Sequence, residues 1–186
     1  MTFLLVALVV IVAPGPDFAL TVRNTVIRGR RGGLATALGV VTGQTAWALA
    51  AAAGIAALLV ASQPLFVTLR IAGAMYLVYL GLSTFIRRRA EPAARRGGSP
   101  YRQGLLSNLS NPKMPVFFTS LLPQFGTTFA ALAAHGLAFA GMTLAWLALV
   151  ARAGAALRVP RVRRAIDLVT GIVLVALGLR LATERR

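Results

Sequence analysis

Six apolar runs make up most of this 186-residue chain, and each is about long enough to cross a membrane as a helix. A hydrocarbon core about 30 Å thick needs roughly 20 apolar residues per helix. The runs cover residues 2–22, 34–61, 65–86, 103–130, 132–157 and 165–182. Backbone polar groups in lipid must be satisfied within the segment itself, which a helix achieves. The prediction is an all-α integral membrane protein with six transmembrane helices.

The composition excludes other classes of protein. Charged residues make up 13% of the chain and hydrophobic residues 58%, whereas soluble domains carry about 25% charged residues. The net charge of +16 comes from arginines in short segments between the runs, which is typical of topology signals and not of a surface that binds nucleic acid. Cysteine is absent, which excludes disulfides, thiol redox chemistry and thiolate metal sites.

The arginines also predict an orientation. They cluster after the first, third and fifth runs, and the loops after the second and fourth runs carry no Lys or Arg. Because positively charged loops stay in the cytoplasm, we predict a multi-pass protein of the cytoplasmic (inner) membrane with both termini outside. No basic residue precedes the first run and it lacks a small-residue cleavage site, so we expect it to remain as a helix and not to be a cleaved signal.

The chain divides into two halves of three runs each. Residues 87–101, rich in Arg, Ala, Gly and Pro, form a cytoplasmic linker between repeat one, residues 1–86, and repeat two, residues 102–186. Since three spans bring the chain to the opposite side, the second half starts from the other face of the membrane. We therefore predict one transmembrane domain made of two inverted three-helix repeats.

The first helix of each half is interrupted by prolines at a similar depth. The residues of the two breaks are Pro14, Gly15, Pro16, Pro112 and Pro115. Each proline frees a carbonyl, and each break creates half-helix ends whose dipoles attract charged groups. Breaks at corresponding positions of two repeats indicate the binding site of a transporter. The alternative is that the kinks only shape the packing.

Motifs in both halves resemble one family, the LysE/RhtB amino-acid exporters, over roughly residues 3–182. The motifs are Pro14-Gly15-Pro16-Asp17-Phe18, Arg28-Gly29-Arg30-Arg31-Gly32-Gly33, Gly39-Val40-Val41-Thr42-Gly43, Asn108-Leu109-Ser110-Asn111-Pro112-Lys113, Phe117-Phe118 and Leu122-Pro123-Gln124-Phe125. The resemblance implies secondary export of an amino acid or close derivative from the cytoplasm, by proton antiport and without a cofactor. The apolar stretch before Pro14 is shorter than is usual in the family.

Two charged residues at the breaks are the first candidates for contact with an amino acid. Asp17 is one of four acidic residues, and Lys113 is the only lysine. Charged side chains within a membrane are costly and mark functional sites. Asp17 suits the substrate ammonium or a coupling proton, and Lys113 suits the substrate carboxylate or an ion pair with Asp17. The alternatives are that Asp17 only caps the following half-helix and that Lys113 extends toward the membrane surface.

Three asparagines complete the set of candidate binding residues. Asn108 and Asn111 stand at the second break, and Asn24 lies just past the first run. An amide both donates and accepts hydrogen bonds, so these side chains suit the polar ends of an amino acid. The alternative is that they satisfy the carbonyls freed by Pro112.

Small residues predict close helix packing in the second run. Gly39 and Gly43 are four positions apart on one face, and Gly32 stands near the start of the run. Such spacing lets helix backbones approach closely, either within the chain or in a homodimer.

These observations favour an exporter of a small neutral amino acid, such as threonine, homoserine or leucine. A basic substrate would need a second buried acid, and none is evident. The alternative is a small six-helix metal-cation exporter of the same superfamily, which would normally carry acidic or histidine clusters. We predict no metal site and no enzymatic activity, because the sequence shows no set of nucleophile and base.

Overall fold

The structure, a computed structural model, describes most of the first two runs and of the fourth and fifth. The described residues are 3–13, 15–61, 64, 67–68, 71–72, 74–75, 78–79, 82, 98–111, 113–153, 168, 172, 175–176, 179 and 182, with the backbone alone for residues 55–61. Pro14, Pro112 and most of the third and sixth runs, 65–86 and 165–182, lie outside the described residues, as does most of the linker.

All regular structure in the described residues is helical. The elements are α1 (Phe3–Val12), α2 (Pro16–Ala61), α3 (Pro100–Leu109), α4 (Lys113–Val116), a π-helical turn (Phe117–Leu121), a 3-10 turn (Leu122–Phe125) and α5 (Phe129–Ala153). The prediction of an all-α protein is therefore confirmed for this part of the chain.

Helix α2 consists of two arms that reverse direction at Gly29. This residue has φ 69° and ψ −176°, a backbone conformation that glycine adopts without steric cost. The first arm covers residues 16–28 and the second arm residues 30–61. They lie side by side, because Asn24 Nδ2 in the first arm donates to Thr36 Oγ1 in the second at 2.8 Å. Both arms extend past the predicted bounds at residues 22 and 34 toward Gly29, since the exposed arginines next to Gly29 are good helix formers.

One helix ends before each proline-containing segment and another begins after it. Helix α1 ends at Val12 and α2 begins at Pro16, while α3 ends at Leu109 and α4 begins at Lys113. We call the segments between them, residues 13–15 and 110–112, the first and second break. Pro16 and Pro100 each stand at the first position of a helix, where the missing N–H has no helical partner to lose. The start of α3 at Pro100 shortens the expected linker by two residues at its end.

Aromatic side chains fill the core on the far side of the second break. Phe117, Phe118 and Phe139 are fully buried. The rings of Phe117 and Phe139 stack with centroids 4.1 Å apart, and Phe118 meets Phe139 edge-on at 5.8 Å. The π-helical turn carries two of these rings and is flanked by Pro115 and Pro123, which interrupt regular α-helical hydrogen bonding.

The outer surface of the helices is apolar as well. Leu8, Leu38 and Leu149 are exposed by 50%, 51% and 56%. Two stretches of the described residues are long and apolar enough to cross a membrane, by length and composition alone: Pro16–Gly54, which includes the reversal at Gly29, and Phe129–Ala153. Helices that are apolar on both the buried and the exposed face fit a lipid environment.

Glycines bring the second arm of α2 into backbone contact with α3. A Cβ at Gly39 would overlap the carbonyl oxygen of Tyr101, and one at Gly104 would overlap the carbonyl oxygen of Thr36. Gly43 faces Asn108 of α3, whereas Gly32 lies against Arg28 beside the turn. The small-residue face is thus occupied within the chain, so a homodimer would need another surface.

Candidate functional site

The two helix breaks meet each other. A Cβ placed on Gly15 of the first break would lie 3.7 Å from Lys113 Nζ and 3.9 Å from Asn111 Nδ2 of the second half. Residues about 100 positions apart in the sequence are therefore neighbours at this crossing. The crossing brings together Asp17, Asn108, Asn111 and Lys113, four of the residues that the sequence analysis selects.

Asp17 is buried and held by hydrogen bonds from the second half. Its side chain is 8% exposed. Ser107 Oγ donates to Oδ1 at 2.6 Å, and Asn108 Nδ2 and Asn111 Nδ2 donate to Oδ2 at 2.9 and 3.0 Å. These three neutral donors fix the position of the Asp17 carboxyl group.

Asp17 also stands in the first turn of α2. A negative charge there is stabilised by the positive end of the helix dipole. Its carboxyl oxygens accept from side chains of the other half, so Asp17 stands at the start of its own helix and is also held by α3 and the second break.

Lys113 makes the reciprocal contact. Its Nζ donates to the carbonyl oxygens of Val10 at 2.9 Å and Ala13 at 3.3 Å. These carbonyls belong to the last turn of α1 and the residue just after it, where the helix dipole favours a cation. Lys113 thus reaches across the first break to the end of α1.

Two asparagines, Asn108 at the end of α3 and Asn111 in the second break, orient the site. Asn111 Oδ1 accepts the backbone N–H of Lys113 at 3.1 Å, which caps the start of α4, while its amide nitrogen donates to Asp17. Asn108 is fully buried against Gly43, where a Cβ would lie 2.8 Å from Asn108 Oδ1. A larger residue at position 43 would therefore displace the amide that donates to Asp17. The amide nitrogens bind Asp17 and not the freed carbonyls.

Asn24 lies away from the crossing. It is 2% exposed and donates to Thr36 Oγ1 at 2.8 Å and to Gln103 Oε1 at 3.0 Å. Seven residues separate it from Asp17 on the same arm, or about 10 Å along the helix. Asn24 therefore joins the two arms of α2 to α3.

A small cavity lies at the crossing. Its polar lining includes Asp17, Asn111 and Lys113, together with Gln44 and Thr143. Its apolar wall contains Phe18, Phe139 and Leu147. The open space is ≈ 20 Å³, enough for about one water molecule. An amino acid enters this cavity only if the surrounding helices move apart.

The sequence analysis missed Ser107, Gln44 and Thr143. Ser107 directly precedes a selected asparagine, and Gln44 is the only side-chain amide in the run 34–61. Gln44 alone gave a signal, because an amide inside an apolar helix needs a partner. Thr143 gave no such signal, since threonine satisfies itself on its own helix: its hydroxyl donates to the carbonyl oxygen of Phe139 at 2.9 Å.

Metal ligation has no support in the described part of the chain. No group of three or more His, Cys, Asp or Glu side chains there is placed to hold a metal ion. The groups around Asp17 present hydroxyl and amide hydrogens to it, whereas a cation site requires several oxygen, nitrogen or sulfur ligands directed at one point.

The chain matches one family model and several known proteins. The family model described as LysE type translocator matches residues 8–185. The leucine efflux protein of Salmonella typhimurium is 34% identical over 130 residues, which cover 67% of this chain and 61% of that protein. The uncharacterized membrane protein YrhP of Bacillus subtilis is 31% identical over 139 residues, covering 67% and 66%.

A third relative, the uncharacterized membrane protein PA4757 of Pseudomonas aeruginosa, is 36% identical over 134 residues, covering 67% of this chain and 62% of that protein. The chain therefore spans between three fifths and two thirds of the length of these relatives. No solved structure matches it.

Proposed function

The chain belongs to the LysE type translocator family, and we propose that it exports a small neutral amino acid of the leucine type across the cytoplasmic membrane. The observation that carries the proposal is the crossing of the two breaks, where Asp17 and Lys113 line one cavity. A leucine efflux protein among the relatives supports the choice of substrate. The membrane location agrees with the family and with the apolar helices.

The cavity supplies a partner for each part of such a substrate. Asp17 is a fixed acceptor for the ammonium group, because neutral donors hold it in place. Lys113 is a donor for the carboxylate, and Phe139 and Leu147 face the aliphatic side chain. Asp17 is the one acid in the cavity lining that the structure describes. A second cationic group on the substrate would find no acid there, which favours neutral amino acids.

Transport requires that the closed cavity open to each side in turn. We assign this motion to the two halves of a single domain, residues 1–86 and 102–186, acting as inverted three-helix repeats of six spans in total. The breaks support this assignment, because each repeat contributes one broken helix to the site. Asn108, Asn111 and Ser107 tie the broken helices together while the cavity is closed.

Proton antiport follows if Asp17 binds one ligand at a time. A proton on its carboxylate removes the charge that attracts the ammonium group. A bound ammonium group occupies the same oxygens and excludes the proton. Competition at this carboxylate exchanges an outgoing amino acid for an incoming proton. The site needs no cofactor and no catalytic residue for this reaction.

Export from loaded cells tests the proposal. Cells that lack their own leucine exporter are loaded with a leucine-containing dipeptide, with and without the protein, and the leucine released is measured. Threonine, homoserine and lysine dipeptides provide the panel. We expect faster release of leucine and no effect on lysine. Release equal to that of cells carrying the empty vector, across the whole panel, would contradict the proposed function.

Collapse of the proton gradient separates coupling from export. A protonophore added to the loaded cells should slow leucine release toward the passive rate. Release that is unchanged by the protonophore would contradict antiport and leave the exporter assignment in place.

A further inference from the structure

One buried acceptor of the cavity lining has no partner. Gln44 is 2% exposed and belongs to the residues that line the cavity. Its Oε1 is fully buried and accepts no hydrogen bond in the described part of the chain. Three other buried polar atoms there share this condition, in Trp47, Asn108 and Trp146, but none of those residues lines the cavity.

The surroundings of Gln44 decide which end of its amide remains unpaired. Its Nε2 lies 3.8 Å from the sulfur of Met114. A thioether accepts hydrogen bonds but cannot donate them, so the NH₂ group faces the sulfur and the carbonyl oxygen is left as an acceptor. A buried acceptor without a donor destabilises the empty site, and a ligand with an N–H group would relieve that cost.

The neighbouring groups identify the donor that fits. An ammonium group carries three N–H donors. Asp17, Gln44 and Thr143, which all carry acceptor oxygens, belong to the same cavity lining, and the Thr143 hydroxyl already directs its hydrogen to the carbonyl oxygen of Phe139. The opposite charge on Lys113 suits a carboxylate, so the two ends of an α-amino acid find complementary partners.

We propose that Gln44 is a binding residue that accepts a hydrogen bond from the α-ammonium group of the transported amino acid, beside Asp17. The proposal rests on the proposed function and deepens it. Gln44 gives the site a neutral acceptor that does not titrate. Asp17 exchanges ammonium for a proton, whereas Gln44 only accepts hydrogen bonds. Its bond to a charged ammonium group is stronger than one to a neutral hydroxyl group, so Gln44 favours an amino acid over the corresponding hydroxy acid.

The test compares two ligands that differ only at this group. Leucine and 2-hydroxy-4-methylpentanoate share carboxylate and side chain, but the second has a hydroxyl in place of the ammonium group. Each ligand is added as a competitor while the exchange of labelled leucine is measured in proteoliposomes that contain the full chain. The variants are Gln44→Met, which keeps the length and removes the acceptor, and Gln44→Glu, which keeps an acceptor. The control is Gln124→Met, the same substitution at a half-buried glutamine outside the cavity lining.

We expect the preference for leucine over the hydroxy acid to fall about tenfold in Gln44→Met, as expected for loss of a hydrogen bond to a charged group. The apparent KM for leucine should rise while the maximal exchange rate changes little. Gln44→Glu should keep the preference, and Gln124→Met should behave as the wild type.

If Gln44→Met keeps the preference for leucine over the hydroxy acid, the proposed role of Gln44 is overturned. Leucine exchange by the wild type would still support the exporter. Such a result would assign the free oxygen to a bound water molecule, for which the cavity has room. Equal loss of the preference for leucine in Gln44→Glu and in Gln44→Met would also overturn the role of Gln44. Absence of leucine exchange in the wild-type protein would overturn the proposed function together with this inference.

Discussion

Asp17 binds the helix that ends at the second break, and Lys113 binds the helix that ends at the first break. Asp17 accepts hydrogen bonds from Ser107 and Asn108 at the end of α3, and Lys113 Nζ donates to Val10 and Ala13 at the end of α1. One charged residue of each half is thus held by backbone or side chains of the opposite half. This exchange is what inverted repeats would produce, and it makes the crossing sensitive to single substitutions.

Asn108→Asp should abolish export. The substitution conserves shape but replaces a donor to Asp17 by a second carboxyl group in a buried position. Two carboxylates at this distance repel each other, and the lost hydrogen bond alone should reduce the rate about tenfold or more. Leucine release is measured at matched expression. Ser110→Asp adds the same charge at an exposed position nearby and should retain export. Wild-type release by Asn108→Asp would contradict the donor role of Asn108.

Lys113→Met should destabilise the folded protein. Its Nζ binds two carbonyl oxygens at the end of α1, and a partly buried cation at a helix C-terminus contributes up to about 2 kcal/mol. Thermal unfolding of the purified protein in detergent measures the loss, which should appear as a lower Tm. Arg102→Met removes an exposed cation from α3 and should leave the Tm close to that of the wild type. Equal Tm values for both variants would argue against the capping of α1.

Gly39→Ala should prevent the close packing of α2 and α3. The added Cβ meets the carbonyl oxygen of Tyr101, a backbone atom that cannot turn away as a side chain would. Overpacking of this kind costs about 1–3 kcal/mol or more. The yield of monodisperse protein after purification and its Tm provide the readout. A Cβ at Gly141 meets no atom within 4 Å, so Gly141→Ala should be neutral or stabilising. Normal yield and Tm for Gly39→Ala would contradict the contact.

The second broken helix should place its two ends on opposite sides of the membrane. Ser99 and Thr127 are exposed and flank the segment from Pro100 to Phe125. The chain contains no cysteine, so Ser99→Cys and Thr127→Cys each create one thiol for labelling. An impermeant maleimide should label Thr127→Cys in intact cells and Ser99→Cys only after permeabilisation. The reverse pattern would place both termini in the cytoplasm, contrary to the prediction from the arginines.

Much of the site could be predicted because lipid restricts what polar residues do. Prolines and charged residues are rare in apolar helices, so the two breaks and the pair Asp17 and Lys113 stand out in the sequence. If the two halves are inverted repeats, as the sequence predicts, the breaks are expected to meet. Asn24 shows the limit of this reasoning, because composition does not separate an asparagine of a cavity from one that joins helices, as Asn24 does through Thr36 and Gln103.

The residues that the sequence did not reveal depend on tertiary contacts. Ser107 acts through the hydrogen bond to Asp17, and nothing in its local sequence predicts that partner. The sequence analysis treats the arginine-rich segment around Gly29 as a loop, because such segments commonly connect helices. The backbone angles show that the chain reverses at this one glycine. The role inferred for Gln44 depends on the cavity and on its unpaired oxygen, and only the structure shows these two features.

Leucine exchange by purified protein in proteoliposomes tests the central role of Asp17 most directly. Exchange of labelled for unlabelled leucine needs substrate binding and opening to both sides but no proton gradient. If Asp17 binds the ammonium group as well as the proton, Asp17→Asn should fold, fail to exchange leucine and fail to export it with a gradient. Wild-type exchange by Asp17→Asn would contradict substrate binding by Asp17.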